Sequence, residues 1–229
     1  MELKNFTYLL LMVGTVLVPL LLSFENEVRY ASRWKYLFPA IAATGLFFIV
    51  WDVWFTSIGI WSFNPDYLIG VNIVNLPLEE WLFFIAVPFS CVFIYDVIKV
   101  KLAKFNQSKI FIYFTYLMIL VSGLLFALHT NKLYTSINFL LLFIFLVATH
   151  LIGWFQKFYT HFYLAWLIGL IPFVAVNGIL TGLPVVEYNS LHNMGIRLYT
   201  IPIEDSGYFL LLFLMVVSGY EYLTEKKYY

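Results

Sequence analysis

Seven separate stretches of this 229-residue chain are long enough and apolar enough to cross a bilayer, and that leaves few folds open. A spanning helix needs roughly 20 mostly apolar residues, since each advances about 1.5 Å through a hydrocarbon layer about 30 Å thick. The stretches lie at about 6–24, 36–57, 80–98, 110–129, 136–153, 161–181 and 206–223, with edges set to within a few residues. In hydrocarbon the backbone must satisfy its own polar groups, so each is expected as a helix. The expectation is an all-α membrane protein of seven spans. Composition agrees: 62% of residues are hydrophobic and 11% charged, against about 25% charged in soluble domains. The first stretch follows Lys4 as a signal peptide would. It is long for the apolar region of a signal, and no clear small-x-small cleavage site follows, so it is read as a span.

Loop charge sets the expected orientation. One face carries ten lysines and arginines: Arg29, Arg33, Lys35, Lys99, Lys101, Lys104, Lys109, Lys157, Lys226 and Lys227. The other carries three, Lys4, Lys132 and Arg197. The positive face belongs in the cytoplasm, which puts the N-terminus outside and the C-terminus inside. A bacterial inner membrane is the expected location. The two longest loops, about 58–79 and 182–205, then lie on the non-cytoplasmic face. The 13 basic residues balance 13 acidic ones, so no basic footprint for nucleic acid exists. The single Cys91 excludes an internal disulfide and a multi-cysteine metal site.

Sliding the chain against itself by 125 residues aligns its two halves. Thr56 falls on Thr181, Asn64 on Asn189, Gly70 on Gly195, Pro77 on Pro202, Glu79 on Glu204 and Phe84 on Phe209. Asp52 falls on Asn177, Glu80 on Asp205 and Asp96 on Glu221. Each copy holds three spans, and span 4 lies between them. The expected division is 1–105 for the first repeat, 106–131 for the linking span and 132–229 for the second. Three spans plus one is an even number, so the repeats run parallel, related by an axis along the membrane normal.

Consequently Pro77-Leu78-Glu79-Glu80 and Pro202-Ile203-Glu204-Asp205 sit at equal depth on one face. Each opens a span. Proline suits the first helical position, and acids two and three residues later suit the helix dipole. Capping alone would account for one copy. Two copies at equal depth favour function, because acids at a membrane boundary are costly. Neighbouring helical residues point about 100° apart, so the two acids of a motif cannot address one atom equally. Glu79 and Glu204, the identical pair, are expected to lead, with Glu80 and Asp205 in support. Aromatic side chains near the motifs could stabilise a cation through their π faces: Trp51, Trp54, Trp61, Trp81, Phe83, Phe84, Tyr208 and Phe209. Their alternative role is interfacial anchoring.

The duplicated motif, each copy opening a span and preceded by an Asp/Asn…Asn…Gly segment, resembles the membrane-integral lycopene cyclases. These are the heterodimeric carotenoid cyclases of some actinobacteria, fused into one chain in other bacteria, archaea and fungi. Pro77-Leu78-Glu79-Glu80 fits the family's Pro-x-Glu-Glu/Asp pattern, and Pro202-Ile203-Glu204-Asp205 fits its Asp-ending form. Asn177 in place of Asp52 is the departure, and it makes the two halves unequal. The resemblance implies redox-neutral cyclisation of lycopene to γ- and β-carotene. An acid protonates the terminal double bond, the neighbouring double bond attacks the cation, and a base removes a proton. It implies Glu79, Glu80, Glu204 and Asp205 as the acid–base set, with Pro77, Pro202, Asp52, Asn177, Asn64 and Asn189 as motif support. It implies lycopene and the bilayer as partners, with other carotenoid-pathway enzymes as possible associates.

No cofactor or metal is expected. There is no G-x-G-x-x-G after a strand and no H-E-x-x-H, and the four histidines are scattered. Retinal proteins need a lysine in the last span, and 206–223 has none. Two other readings stay open. A carotenoid hydratase would use the same protonation and quench the cation with water. A transporter would use the acids as a proton relay. Asp96 and Glu221, at the opposite helix ends, are expected as solvated charges paired with nearby lysines.

Overall fold

The computed structural model describes residues 2–226. Among these, seven helices are long and apolar enough to span a membrane. Their α-helical parts are α1 (Thr7–Leu22), α2 (Trp34–Ser57), α3 (Leu78–Lys101), α4 (Ser108–Leu128), α5 (Leu133–Ile152), α6 (Tyr159–Gly182) and α7 (Glu204–Glu225). Short 3-10 turns at Leu3–Phe6, Tyr30–Arg33 and Trp154–Phe158 lead into α1, α2 and α6. The third span exceeds its apolar stretch at both ends, from Leu78 to Lys101. Glu79 and Glu80 open it, and Lys99 and Lys101 close it. Acids in a first turn and lysines in a last turn suit the helix dipole, although neither is apolar.

The two long loops fold into small ribbons. In the first, β1 (Trp61–Phe63) precedes a hairpin of β2 (Asn72–Ile73) and β3 (Leu76–Pro77). In the second, β4 (Val186–Tyr188) precedes a hairpin of β5 (Arg197–Leu198) and β6 (Ile201–Pro202). The halves match closely. Leu78 N–H donates to Val71 O at 2.8 Å, and Ile203 N–H to Ile196 O at 3.0 Å. Gly70 and Gly195 hold φ of 83° and 76°, a left-handed backbone that explains glycine at both positions. Val74 and Tyr199 both turn their hairpins at φ 60°.

Strands β1 and β4 pair antiparallel, with Ser62 opposite Glu187, its own counterpart at offset 125. Equivalent strands can pair this way only about a two-fold axis perpendicular to the ribbon. Both hairpins and both acidic motifs therefore stand at one end of the bundle, the ribbon end. Two parallel three-helix repeats thus surround the axis, and α4 is an added helix packed along α5. Near the axis α3 and α7 are the most buried spans, while α4 is the least.

Two expectations need correction. Pro77 is the cap before α3 rather than its first residue, and Pro202 ends β6 two residues before α7. Each proline pairs with the first residue of its own hairpin, Asn72 or Arg197, so the tight loop claims it as a strand end. Asp96 and Glu221 are not solvated, at 0% and 1% exposed. Each receives the tyrosine of the opposite repeat: Tyr220 donates to Asp96 at 2.7 Å and Tyr95 to Glu221 at 2.8 Å. Arg33 pairs with Asp96 at 3.0 Å and Lys99 with Glu221 at 2.5 Å. The axis brings these helix ends together, so their partners are remote in sequence rather than local.

Candidate active site

The first turn of each motif helix points its two acids in different directions, as a 100° step requires. Glu79 turns back to its loop, where Oε1 accepts Ile69 N–H at 2.8 Å. Glu204 does the same with Met194 N–H at 2.7 Å, and also accepts Thr135 Oγ1 at 2.6 Å. Both are fully buried, and neither lines the cavity described below. Asn138 fixes the same turn by donating to Glu204 O at 2.6 Å.

Glu80 and Asp205 face the other way, into one cavity of about 510 Å³. It is shared by both repeats: Asp52 and Glu80 come from the first, Asn177 and Asp205 from the second. Its walls are helices α1, α3, α6 and α7, and apolar side chains dominate them. No lysine, arginine or histidine is among the lining residues.

The two cavity acids differ in their donors. Asp205 accepts Tyr134 Oη at 2.6 Å, Tyr188 Oη at 2.9 Å and Asn177 Nδ2 at 3.4 Å. Glu80 accepts Tyr8 Oη at 2.5 Å and is the electrostatic neighbour of Asp52. Asp52 in turn accepts Trp61 Nε1 at 2.5 Å and Thr56 Oγ1 at 3.3 Å, and its second oxygen has no partner. Tyr188 lies in the ribbon; burial, and then the Asp205 charge, push its phenol well above the usual range, so it stays a donor.

Most of the remaining sequence candidates stand outside the cavity. Asn64 and Asn189 cap turns in their loops, accepting Asp66 N–H and Leu191 N–H, each at 3.0 Å. Trp54 is exposed, and Trp81 donates to Ile73 O at 3.3 Å. Phe84 packs on Phe48, and Trp51 packs behind Tyr208 with ring centres 5.1 Å apart. Phe209 does line the cavity, stacked on Phe173 at 4.7 Å, as do Trp61, Phe83 and Tyr208. Tyr8 and Tyr134, missed in the sequence, are equivalent donors to the two cavity acids. Their offset is 126. A fixed slide of 125 puts Tyr8 over Leu133, because the later repeat is one residue shorter between its first and second spans, and this hides the pair. Among the described residues, no group of three or more His, Cys, Asp or Glu is placed to hold a metal ion.

An apolar cavity within a helical membrane protein, with carboxyls and phenols gathered at one end, is suited to acid–base chemistry on a lipid-soluble molecule. The family model described as lycopene cyclase matches residues 5–98 and 131–223, one segment in each repeat. The chain therefore belongs to the lycopene cyclase family, the membrane-embedded carotenoid cyclases. No curated protein and no solved structure matches it.

Proposed function

We propose that the chain is a lycopene β-cyclase, closing the end groups of lycopene in turn to give γ-carotene and then β-carotene. The observation that carries this reading is the shared cavity, in which acids of both repeats meet an apolar, aromatic wall. The reaction adds a proton to the terminal double bond of a linear end group. The tertiary cation is attacked by the neighbouring double bond, a carbon–carbon bond closes the six-membered ring, and one proton leaves. Net composition is unchanged, so neither oxidant nor reductant is required.

Glu80 is the acid in this proposal. Asp52 and Glu80 line the same cavity and no cationic side chain lines it, so in this proposal one of the two carboxyls carries a proton. Asp205 is the base. Three donors satisfy the charged form of its carboxylate. The rings of Trp61, Tyr208 and Phe209 border the same space, where their π faces can stabilise the cation. Glu79 and Glu204 are positioning residues: each ties its loop to the first turn that aims the cavity acid. The two repeats, 1–105 and 132–229, joined by the span in 106–131, each supply one face of the site. The ribbon end lies outside the cytoplasm of a bacterial inner membrane, with the N-terminus outside and the C-terminus inside. Other enzymes of carotenoid synthesis would supply the lycopene from the same bilayer.

Expression in a lycopene-accumulating bacterium, with chromatography of the pigments, tests the reading. Monocyclic and then bicyclic products with β-rings are expected. Hydroxylated linear products would replace the cyclase with a hydratase. Unchanged lycopene beside proton-coupled uptake would replace it with a transporter.

A further inference from the structure

Among the described residues, the cavity lies on one side of the two-fold axis, between α1, α3, α6 and α7. Its counterpart on the other side is filled, because small residues are matched by large ones. Gly14 corresponds to Leu140 at offset 126, while Val176 and Leu180 correspond to Trp51 and Phe55 at offset 125. Trp51 and Phe55 are buried with Phe48 in the main core, in a chain of rings whose centres lie 5.5–5.6 Å apart. Around the open cavity, α6 touches α7 at few positions, whereas α2, its counterpart, packs firmly along α3; α6 meets α1 no more loosely than α2 meets α5.

Helix α1 shows where the open side leads. Leu10 and Val18 line the cavity and are also 54% and 58% exposed. Gly14 stands between them, and a Cβ there would meet nothing within 4 Å. Across the gap, α6 contributes Gly169, Pro172 and Phe173. Both helices contain an interior proline, Pro19 and Pro172. Each removes a backbone hydrogen bond and loosens its helix at this level. The cavity lining runs along α3 from Glu80 to Ile94, about 21 Å at 1.5 Å per residue. It is therefore a long apolar slot parallel to the helices, with its acids at one end and its flank toward lipid.

We propose that the cleft between α1 and α6 is a lateral portal, through which the end of a linear apolar polyene passes directly from the bilayer to Glu80 and Asp205. This rests on the cyclase reading. Because the counterpart space is filled, one portal and one slot serve both ends of the substrate. Each end is admitted separately, and the remainder of the chain stays in lipid.

Gly14→Trp and Val18→Trp test the portal by filling it, with Leu21→Trp as the control. Leu21 is on the same helix, is 68% exposed and does not line the cavity. The measurement is the initial rate of ring formation from lycopene in membranes, normalised to the folded protein present. Gly14→Trp is expected to lower the rate more than tenfold and Val18→Trp several-fold, with Leu21→Trp unchanged. Val18→Trp, on an open face, keeps the test valid should Gly14→Trp fail to fold. Full activity in the folded portal variants, beside an active wild type, would overturn the portal and leave the cyclase reading intact. An equal loss with Leu21→Trp would also overturn it, pointing to general damage to α1. A wild type that forms no ring would overturn the cyclase reading and the portal with it.

Discussion

The two repeats carry the same motif in the same backbone, yet their cavity acids are differently surrounded. In the second repeat Asn177 stands where the first has Asp52, so an amide donor faces Asp205 and a carboxyl faces Glu80. Tyr8 and Tyr134 treat the two acids alike, but Tyr188 joins only Asp205. Duplication thus supplies two carboxyls at one depth, and small later differences separate their chemistry. A symmetric site would offer two equal acids. On the proposed reading, the asymmetric one supplies a proton donor and a proton acceptor across a single cavity, which ring closure needs.

Removing the ionisable group from either side should have the largest effect. Glu80→Gln and Asp205→Asn are each expected to lower ring formation by about 10²- to 10⁴-fold, the usual share of a positioned acid or base. Glu79→Gln and Glu204→Gln keep an oxygen to accept the loop N–H, so a loss of about tenfold or less is expected. Pigment chromatography on equal amounts of membrane protein measures all four. If Glu79→Gln and Glu204→Gln proved as damaging as Glu80→Gln, the division between cavity acids and positioning acids would collapse.

That division was only half legible in the sequence. Seven spans, two parallel repeats and equal depth of the motifs follow from apolar runs and from the offset of 125. The 100° step shows that only one acid of each motif can face a given point, but not which one. Identity between the halves favoured Glu79 and Glu204. In the structure both acids hold the same loop turn, accepting Ile69 N–H and Met194 N–H. A shared backbone keeps these residues alike, whereas Glu80 and Asp205 differ where the halves diverge. The burial of Asp96 and Glu221 is not legible in the sequence, because their tyrosine partners lie 124 and 126 residues away. Local spacing cannot reveal contacts made across the two-fold axis.

A smaller effect should come from exchanging the partners rather than the acids. Asp52→Asn gives Glu80 an amide neighbour, as Asp205 has. Asn177→Asp gives Asp205 a carboxyl neighbour, as Glu80 has. Each is expected to slow ring formation about tenfold, equivalent to about 1.4 kcal/mol in the barrier. Initial rates with lycopene check this. A rate unchanged in both variants would mean that the asymmetry of donors does not set the roles of acid and base.

The smallest effect on turnover is expected at the far end of the same axis, where one tyrosine–carboxylate bond is repeated in each half. Tyr95→Phe frees Glu221 of one donor and leaves Lys99, and Tyr220→Phe frees Asp96 of one donor and leaves Arg33. Hydrogen bonds between membrane helices contribute on average about 0.6 kcal/mol, so a loss of about 0.5–1.5 kcal/mol in stability is expected from each. The two losses should be similar, because each bond is the image of the other. Turnover should stay within about twofold of wild type, since a loss of this size far from the cavity leaves the barrier almost unchanged. Detergent unfolding beside the lycopene assay separates the two quantities. A loss of turnover in Tyr95→Phe comparable to that in Glu80→Gln would show that these buried acids act on the reaction, rather than only holding the repeats together.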